Sequence, residues 1–569
     1  MRPLKILIVI LFNIQIALPQ GNTVITGKIK NYESKSIQIG DYTSEIDSLG
    51  NFKLKFELSV PEVYSLSYHG NGTGIFLEPH DSIYLRFDAN DFYNTCSFSG
   101  KNVLIQSFLL DLSIKSKPVE AFFYSHWNDL ISLPEAEFVS KIEEQKSLIV
   151  EPIESFITSN KSIISPYFSK YYKLNTELFF NRFIYLYPSL HFDYISLEDQ
   201  LNYRERHLQI ESFNQNDTKL LNSESYKDLM KTILRLKVIH YLVNDPTLKK
   251  SDNQWITAYQ RAIINSFTND TVRNYWLQYY LNDHIENFGV KNIEGLIKEF
   301  NSVCTDLAYR GKINDKYQTA LDKRQNHQIK TYKKIDGFEL DAHIFKPKDI
   351  KPTEKRAAIL YFHGGGFSSG NPDWHCYYDE NGFVQISFEY RIYDRHGTMP
   401  FAALEDAKSA IRWVRENAEE LQIDTNKIVA TGNSCGAAMA YATALLDSLD
   451  NPNENLKISS KPTAMILNAA GYDQTYKFGP VKDKTSLKKI SGINIVKPNS
   501  PPCLVIHGSR DYIPLSEAEE FVKKMRAAGN LCEFKVLEGA GHVPWLTPPY
   551  STESRSARQD FLRKIGYID

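Results

Sequence analysis

Gly432-Asn433-Ser434-Cys435-Gly436 stands between a short apolar run, Ile428-Val429-Ala430, and an alanine-rich one, Ala437-Ala438-Met439-Ala440-Tyr441-Ala442. The order reads as strand, tight turn, helix, with a serine at the apex and a glycine two positions to either side. A serine on such a turn is pushed out of the backbone, and the flanking glycines let neighbouring chain pass close by. The N–H that follows the serine then faces whatever its Oγ attacks. Gly-x-Ser-x-Gly is a common pattern, so its meaning rests on its surroundings.

Outward from that turn the chain alternates between two textures. Residues 357–362, 383–390, 427–431, 464–469, 503–507 and 532–537 are short apolar runs that predict buried strands. Residues 401–421, 435–449, 516–528 and 552–565 carry helical periodicity, with Leu404, Ala407, Ile411 and Val414 on one face of the first. Residues 329–332 and 339–345 predict an antiparallel pair around Asp336-Gly337. Strands alternating with helices predict an α/β fold, a mostly parallel sheet with helices on both faces. Ligand sites in such sheets lie at the carboxyl ends of the strands.

Three further features fall at predicted strand ends. His363-Gly364-Gly365-Gly366-Phe367 follows the strand at 357–362. Its glycines let backbone N–H groups face a substrate, as an oxyanion requires. Gly364, Gly365 and the amide of Cys435 are the candidate donors. A phosphate-binding loop is the competing reading, but the spacing is wrong and no lysine is placed to reach a phosphate. Asp511 follows the strand at 503–507, placed to orient an imidazole. His542 follows the strand at 532–537, in Gly539-Ala540-Gly541-His542. Each acid or imidazole alone has an ordinary explanation, Asp511 as a turn residue and His542 as a surface loop residue. Together, in the chain order Ser, Asp, His and at intervals that β/α units would give, Ser434, Asp511 and His542 form a candidate catalytic triad.

This half, residues 329–569, resembles the His-Gly-Gly-Gly branch of α/β-hydrolase esterases and lipases, the hormone-sensitive-lipase-like group. The resemblance rests on residues 363–367 and 432–436, on Asp511 and His542, and on a helix written Pro400-Phe401-Ala402-Ala403-Leu404-Glu405-Asp406-Ala407 before the serine strand. It implies an α/β-hydrolase domain and a serine hydrolase acting on carboxylic ester bonds, with no cofactor and no metal. Asp406 is expected to order structure rather than to act chemically. The family usually writes Gly-Asp-Ser-Ala-Gly-Gly. Here Asn433, Cys435 and Ala437 stand in place of Asp, Ala and Gly. Phe367, Trp374, Tyr390 and Trp545 are candidates to line a substrate pocket, with core packing as the other reading of each.

The first half is of another kind. Residues 21–101 show short alternating runs with frequent turns, including Gly50-Asn51-Phe52, and predict a small β-sandwich. Residues 102–328 predict an all-α region, with amphipathic runs at 223–242, 253–267, 271–284 and 293–307. Its many Tyr and Phe residues are read as packing between helices, with carbohydrate stacking as the alternative. Together these segments resemble the N-terminal extension of exported thioredoxin-like proteins of Bacteroidetes-type bacteria. No Cys-x-x-Cys is present, so no thiol–disulfide activity is implied.

Residues 1–20, with Arg2 and Lys5 before an apolar stretch, predict a signal peptide and therefore an exported, periplasmic or secreted protein. The apolar stretch is short of the ~20 residues that span a bilayer, so no integral span is expected after removal. Net charge of −2 argues against a nucleic-acid partner. Six scattered cysteines form no metal spacing, and the sequence does not choose a disulfide among them. The function that fits best is a serine carboxylesterase of small acyl esters, with a small-molecule or glycan ester as substrate. A serine exopeptidase of the prolyl-oligopeptidase-like group and a non-catalytic binding protein are the alternatives.

Overall fold

Alternate side chains of Asn51–Leu58 turn inward (Phe52, Leu54, Phe56 and Leu58), while Lys53, Lys55 and Glu57 face water. This period of two marks a half-buried strand, and it recurs through the first part of the chain. The computed structural model describes residues 21–58, 60–190, 213–248, 252–372, 382–475, 484–542 and 548–569. The segment 1–20, read as an export signal, and Trp374 and Trp545 lie outside the described residues. The chain divides into two compact units, 1–237 and 238–569.

In the first unit, β1 (Gly21–Lys30), β2 (Ser36–Ile39), β3 (Tyr42–Glu45), β4 (Asn51–Leu58), β5 (Glu62–Tyr68), β6 (Asn71–Leu77), β7 (Ser82–Asp88) and β8 (Ser97–Gly100) form two four-stranded sheets. One is ordered β4-β1-β7-β8, the other β3-β2-β5-β6. Ile25, Phe52 and Leu85 of the first share a core with Ile39, Leu66 and Ile75 of the second, as a sandwich requires. Helices α1 (Val103–Lys115), α2 (Lys117–Leu130), α3 (Glu135–Asn160) and α4 (Pro166–Leu190) follow. They bury Phe123, Phe138, Phe180 and Phe183 against one another, so these aromatics pack between helices.

The second unit opens with α5 (Gln254–Ser266), α6 (Asp270–Phe288), α7 (Glu294–Val303) and α8 (Leu307–Gln325). The helical region expected over 102–328 is thus shared between the two units. The run expected at 293–307 breaks after Val303, because Cys304 is extended and the Asp306 carboxylate caps the next helix through the N–H groups of Ala308 and Tyr309. Buried ion pairs tie these helices to the sheet that follows. Lys291 meets Asp341 at 2.8 Å and Glu389 at 2.6 Å, Arg324 meets Asp341 at 2.7 Å, and Arg395 meets Asp252 at 2.9 Å.

That sheet contains β9 (Gln328–Ile335), β10 (Phe338–Phe345), β11 (Arg356–Phe362), β12 (Val384–Phe388), β13 (Ile423–Asn433), β14 (Ala464–Asn468), β15 (Cys503–Gly508) and β16 (Cys532–Leu537). The order is β9-β10-β12-β11-β13-β14-β15-β16. β9, β10 and β12 pair antiparallel, and every pairing from β12 to β16 is parallel. This is the α/β-hydrolase architecture expected for the second half. Ala358, Leu360 and Phe362 of β11 enter one core, while Ile359 and Tyr361 enter the other. A strand buried on both faces reads as one continuous apolar run. Helices α9 (Pro400–Glu416), α10 (Cys435–Leu445) and α11 (Leu515–Ala527) cover one face, and α12 (Tyr550–Lys564) covers the other. Among the described residues, no helix is long and apolar enough to cross a membrane.

Candidate active site

Gly432 and Gly436 set the shape of the turn between β13 and α10. A Cβ at Gly436 would lie 2.0 Å from the carbonyl oxygen of Phe362, and one at Gly432 would lie 2.4 Å from the backbone of Gly436. No larger residue fits either place unless the end of β11 or the first turn of α10 moves. Ser434 between them has φ 54° and ψ −118°, a region that residues with a Cβ rarely occupy. Neighbouring β14 holds the turn in that state. The Ser434 N–H donates to the Asn468 carbonyl at 2.9 Å, and the Asn468 side-chain amide donates to the Gly432 carbonyl at 3.0 Å. Asn433, where the related motif has a carboxylate, donates to the Tyr361 hydroxyl at 3.0 Å. Cys435 is the first residue of α10, so its N–H lies at the positive end of the helix dipole.

The glycine loop after β11 is folded on itself. The Gly365 carbonyl accepts the N–H groups of Ser368 at 3.1 Å and Ser369 at 3.0 Å. Gly365 and Gly366 have φ of +125° and +62°, where glycine carries no Cβ penalty. The amides of Gly364, Gly365 and Cys435 donate to no acceptor among the described residues. His363 is buried, and burial lowers its pKa to about 4, so its ring is neutral near pH 7. Its Nδ1–H donates to the Gly364 carbonyl at 2.8 Å, while the Tyr390 hydroxyl donates to the His363 carbonyl at 2.7 Å. The two rings stack with centroids 4.2 Å apart.

Two of the proposed pocket residues sit elsewhere. Phe367 and Tyr390 are 3% and 1% exposed and belong to the core under the sheet. The Phe367 N–H donates to the Cys435 thiol at 3.3 Å, and Tyr390 spends its hydroxyl on His363. Both aromatics therefore hold the loop from behind rather than line an open surface. The Cys435 thiol, which the family resemblance leaves without a role, is a buried acceptor for that loop.

Asp511 and His542 meet beyond β15 and β16. The His542 Nδ1 lies 2.8 Å and 3.0 Å from the two carboxylate oxygens of Asp511. The Asp511 side chain is fully buried and also accepts the Ile513 N–H at 2.9 Å. His507, buried in β15, donates through Nε2 to the Ile513 carbonyl at 3.0 Å, which ties the far side of the same loop. With Nδ1 engaged by the carboxylate, Nε2 of His542 is the ring nitrogen available to a proton donor. Tyr512 carries no motif in the sequence. It is 59% exposed, its ring lies 4.4 Å from that of His542, and its hydroxyl interacts with the Ser434 side chain. Tyr512 is therefore a common neighbour of the serine turn and the histidine loop. The available signal was an aromatic directly after the strand-end aspartate.

The second half of the chain is similar in sequence to known proteins. Residues 342–525 match the family model described as BD-FAE. Esterase LipC of Mycobacterium tuberculosis is 27% identical over 228 residues, covering 35% of this chain and 55% of that protein. Ethyl acetate hydrolase of Pseudomonas putida is 34% identical over 114 residues, covering 19% of this chain and 35% of that protein. The chain thus spans about half or less of the length of these curated relatives. Among solved structures, esterase 2 of Thermogutta terrifontis is 33% identical, with 43% of this chain and 97% of that chain covered and a TM-score of 0.41.

Proposed function

We propose that the α/β-hydrolase unit is a serine carboxylesterase that works through an acyl-enzyme. The observation that carries this reading is the pair His542–Asp511 at 2.8 Å, linked to a serine on a strained strand-to-helix turn by Tyr512, which neighbours both. In the proposed reaction, Nε2 of His542 takes the Ser434 proton as Oγ attacks the ester carbonyl. Asp511 keeps the imidazole in the tautomer that leaves Nε2 free and stabilises its charged form. The tetrahedral oxyanion is held by the N–H groups of Gly364, Gly365 and Cys435, each such donor contributing about 3 kcal/mol. His542 then gives its proton to the leaving alcohol, and water repeats the cycle on the acyl-enzyme. Similarity to relatives named esterases, among them an ethyl acetate hydrolase, supports small acyl esters as the substrate class. Esters carried on carbohydrate, met outside the cytoplasm, are the finer reading. It joins this chemistry to the export signal read in residues 1–20.

Replacing Ser434 with Ala is expected to lower hydrolysis of p-nitrophenyl acetate by at least ~10⁴-fold while the circular dichroism spectrum stays unchanged. Wild-type turnover by a folded Ser434→Ala protein would exclude the mechanism. A panel of acyl chain lengths and acetylated oligosaccharides then ranks the substrates, and dipeptidyl substrates in the same panel separate an esterase from an exopeptidase.

A further inference from the structure

Cys503 and Cys532 open the two strands that carry Asp511 and His542. They are direct register partners at the start of the parallel pair β15–β16. Both side chains point into the same core, at 0% and 4% exposure, and their sulfur atoms lie 2.9 Å apart. Neighbouring strands run about 4.8 Å apart, inside the Cα separation of about 4.4–6.8 Å that a disulfide bridges. The backbone is pinned at the same level, because the Cys503 N–H donates to the Leu531 carbonyl at 3.0 Å and the Arg526 guanidinium donates to the Cys532 carbonyl at 2.9 Å. Both sulfurs can therefore be joined without moving a strand. All five described cysteines are free thiols in the structure, and Cys503–Cys532 is the sulfur–sulfur contact among the described residues.

We infer that Cys503 and Cys532 form a disulfide when the chain folds in an oxidising environment, joining the last two strands of the sheet beneath the Asp511 and His542 loops. The oxidant is a small-molecule or protein disulfide. In the first step one cysteine thiolate attacks a sulfur of the oxidant, forming a mixed disulfide and releasing one thiolate. In the second step the other cysteine thiolate attacks the protein sulfur of that mixed disulfide and releases the second thiolate. Two electrons pass from the cysteines to the oxidant, and the two cysteine protons end on its two thiols. The native thiols are poor entry points, since the neighbouring Cys532 thiol and burial hold Cys503 in its protonated form. Bond formation thus belongs to the folding chain, before β15 and β16 are sealed in the core. The linkage closes a loop that contains Asp511, so it restrains that loop in the unfolded ensemble.

The test refolds the reduced, denatured full chain in a mixture of reduced and oxidised glutathione. Free thiols are then alkylated, and the protein is digested without reductant. A linked pair of peptides containing Cys503 and Cys532, with the mass two hydrogens lower than the reduced form, is the expected result. Dithiothreitol is expected to lower the urea midpoint of the refolded wild type and to leave that of the Cys503→Ala, Cys532→Ala double variant unchanged. Recovery of both cysteines as alkylated thiols, as glutathione adducts, or linked to a different cysteine would overturn the inference. The peptide measurement uses wild-type protein alone, so it decides the question even if the double variant does not fold.

Discussion

Gly436 is the residue at which shape and chemistry meet most tightly. Its missing Cβ is what lets the first turn of α10 approach the end of β11, with 2.0 Å between the Cβ position and the Phe362 oxygen. A methyl group there must push the helix start, and with it the Cys435 amide and Ser434, away from the glycine loop. Misplacement of a reacting group by ~1 Å can cost ~10²-fold in rate. Gly436→Ala is therefore expected to lose about 100-fold in kcat/KM on p-nitrophenyl acetate while still folding. Undiminished activity in the folded variant would mean that the turn has slack the geometry does not show. Gly432, Gly436 and Ser434 were legible as sequence because their roles follow from residue type, the absence or presence of a Cβ. Tyr512 was not, since nothing in an exposed tyrosine says which loop it will lean against. Phe367 and Tyr390 stay open between pocket and core in the sequence for a related reason. An aromatic beside a catalytic motif can face the site or back it, and only packing decides.

Between elements, Asp406 of α9 does the joining. It is fully buried and receives the Arg391 N–H, Nε and Nη2 at 2.9 Å each, together with Lys333 Nζ of β9 at 2.7 Å. Arg391 directly follows Tyr390, whose hydroxyl holds the His363 carbonyl. One carboxylate thus fixes the helix, the hairpin and the segment that supports the glycine loop. Asp406→Asn would leave Lys333 and Arg391, both nearly fully buried, with Glu405 and Asp336 as their remaining acidic partners. Breaking a buried pair of this kind costs about 3 kcal/mol or more. Urea denaturation of the variant is expected to show that loss, and a change below about 1 kcal/mol would remove Asp406 from this role. The sequence puts Asp406 on a helix before the serine strand, and the family resemblance implies an ordering role for it. Its partners on β9 and after β12 are far apart in sequence and became visible only once the sheet order was known.

At the scale of the molecule, the unit spanning 238–569 buries imidazoles as well as apolar side chains. Burial lowers the pKa of His284 and His343 to about 3 and that of His363 to about 4. The unfolded chain takes up these protons near pH 6.5, and the fold does not. Their contribution to stability is complete above that pH and is lost as pH falls toward 4 and then 3, at about 1.4 kcal/mol per pH unit for each histidine. The melting temperature followed by circular dichroism is expected to fall steadily from pH 7 to pH 4. A melting temperature constant between pH 7 and pH 5 would contradict it. The class of each region and the residue types gathered at the strand ends are legible in the chain alone. Period-two alternation, helical periodicity, glycine at turns and the order Ser, Asp, His are local properties that survive without coordinates. The tertiary structure alone decided how those pieces share space. The division at 237/238, the helices at 254–325 standing with the sheet, the contact of His542 with Asp511 and the pairing of Cys503 with Cys532 all depend on which distant residues become neighbours. Neighbourhood of that kind is set by strand order and by the burial of charges in pairs, and neither is written in any one stretch of chain.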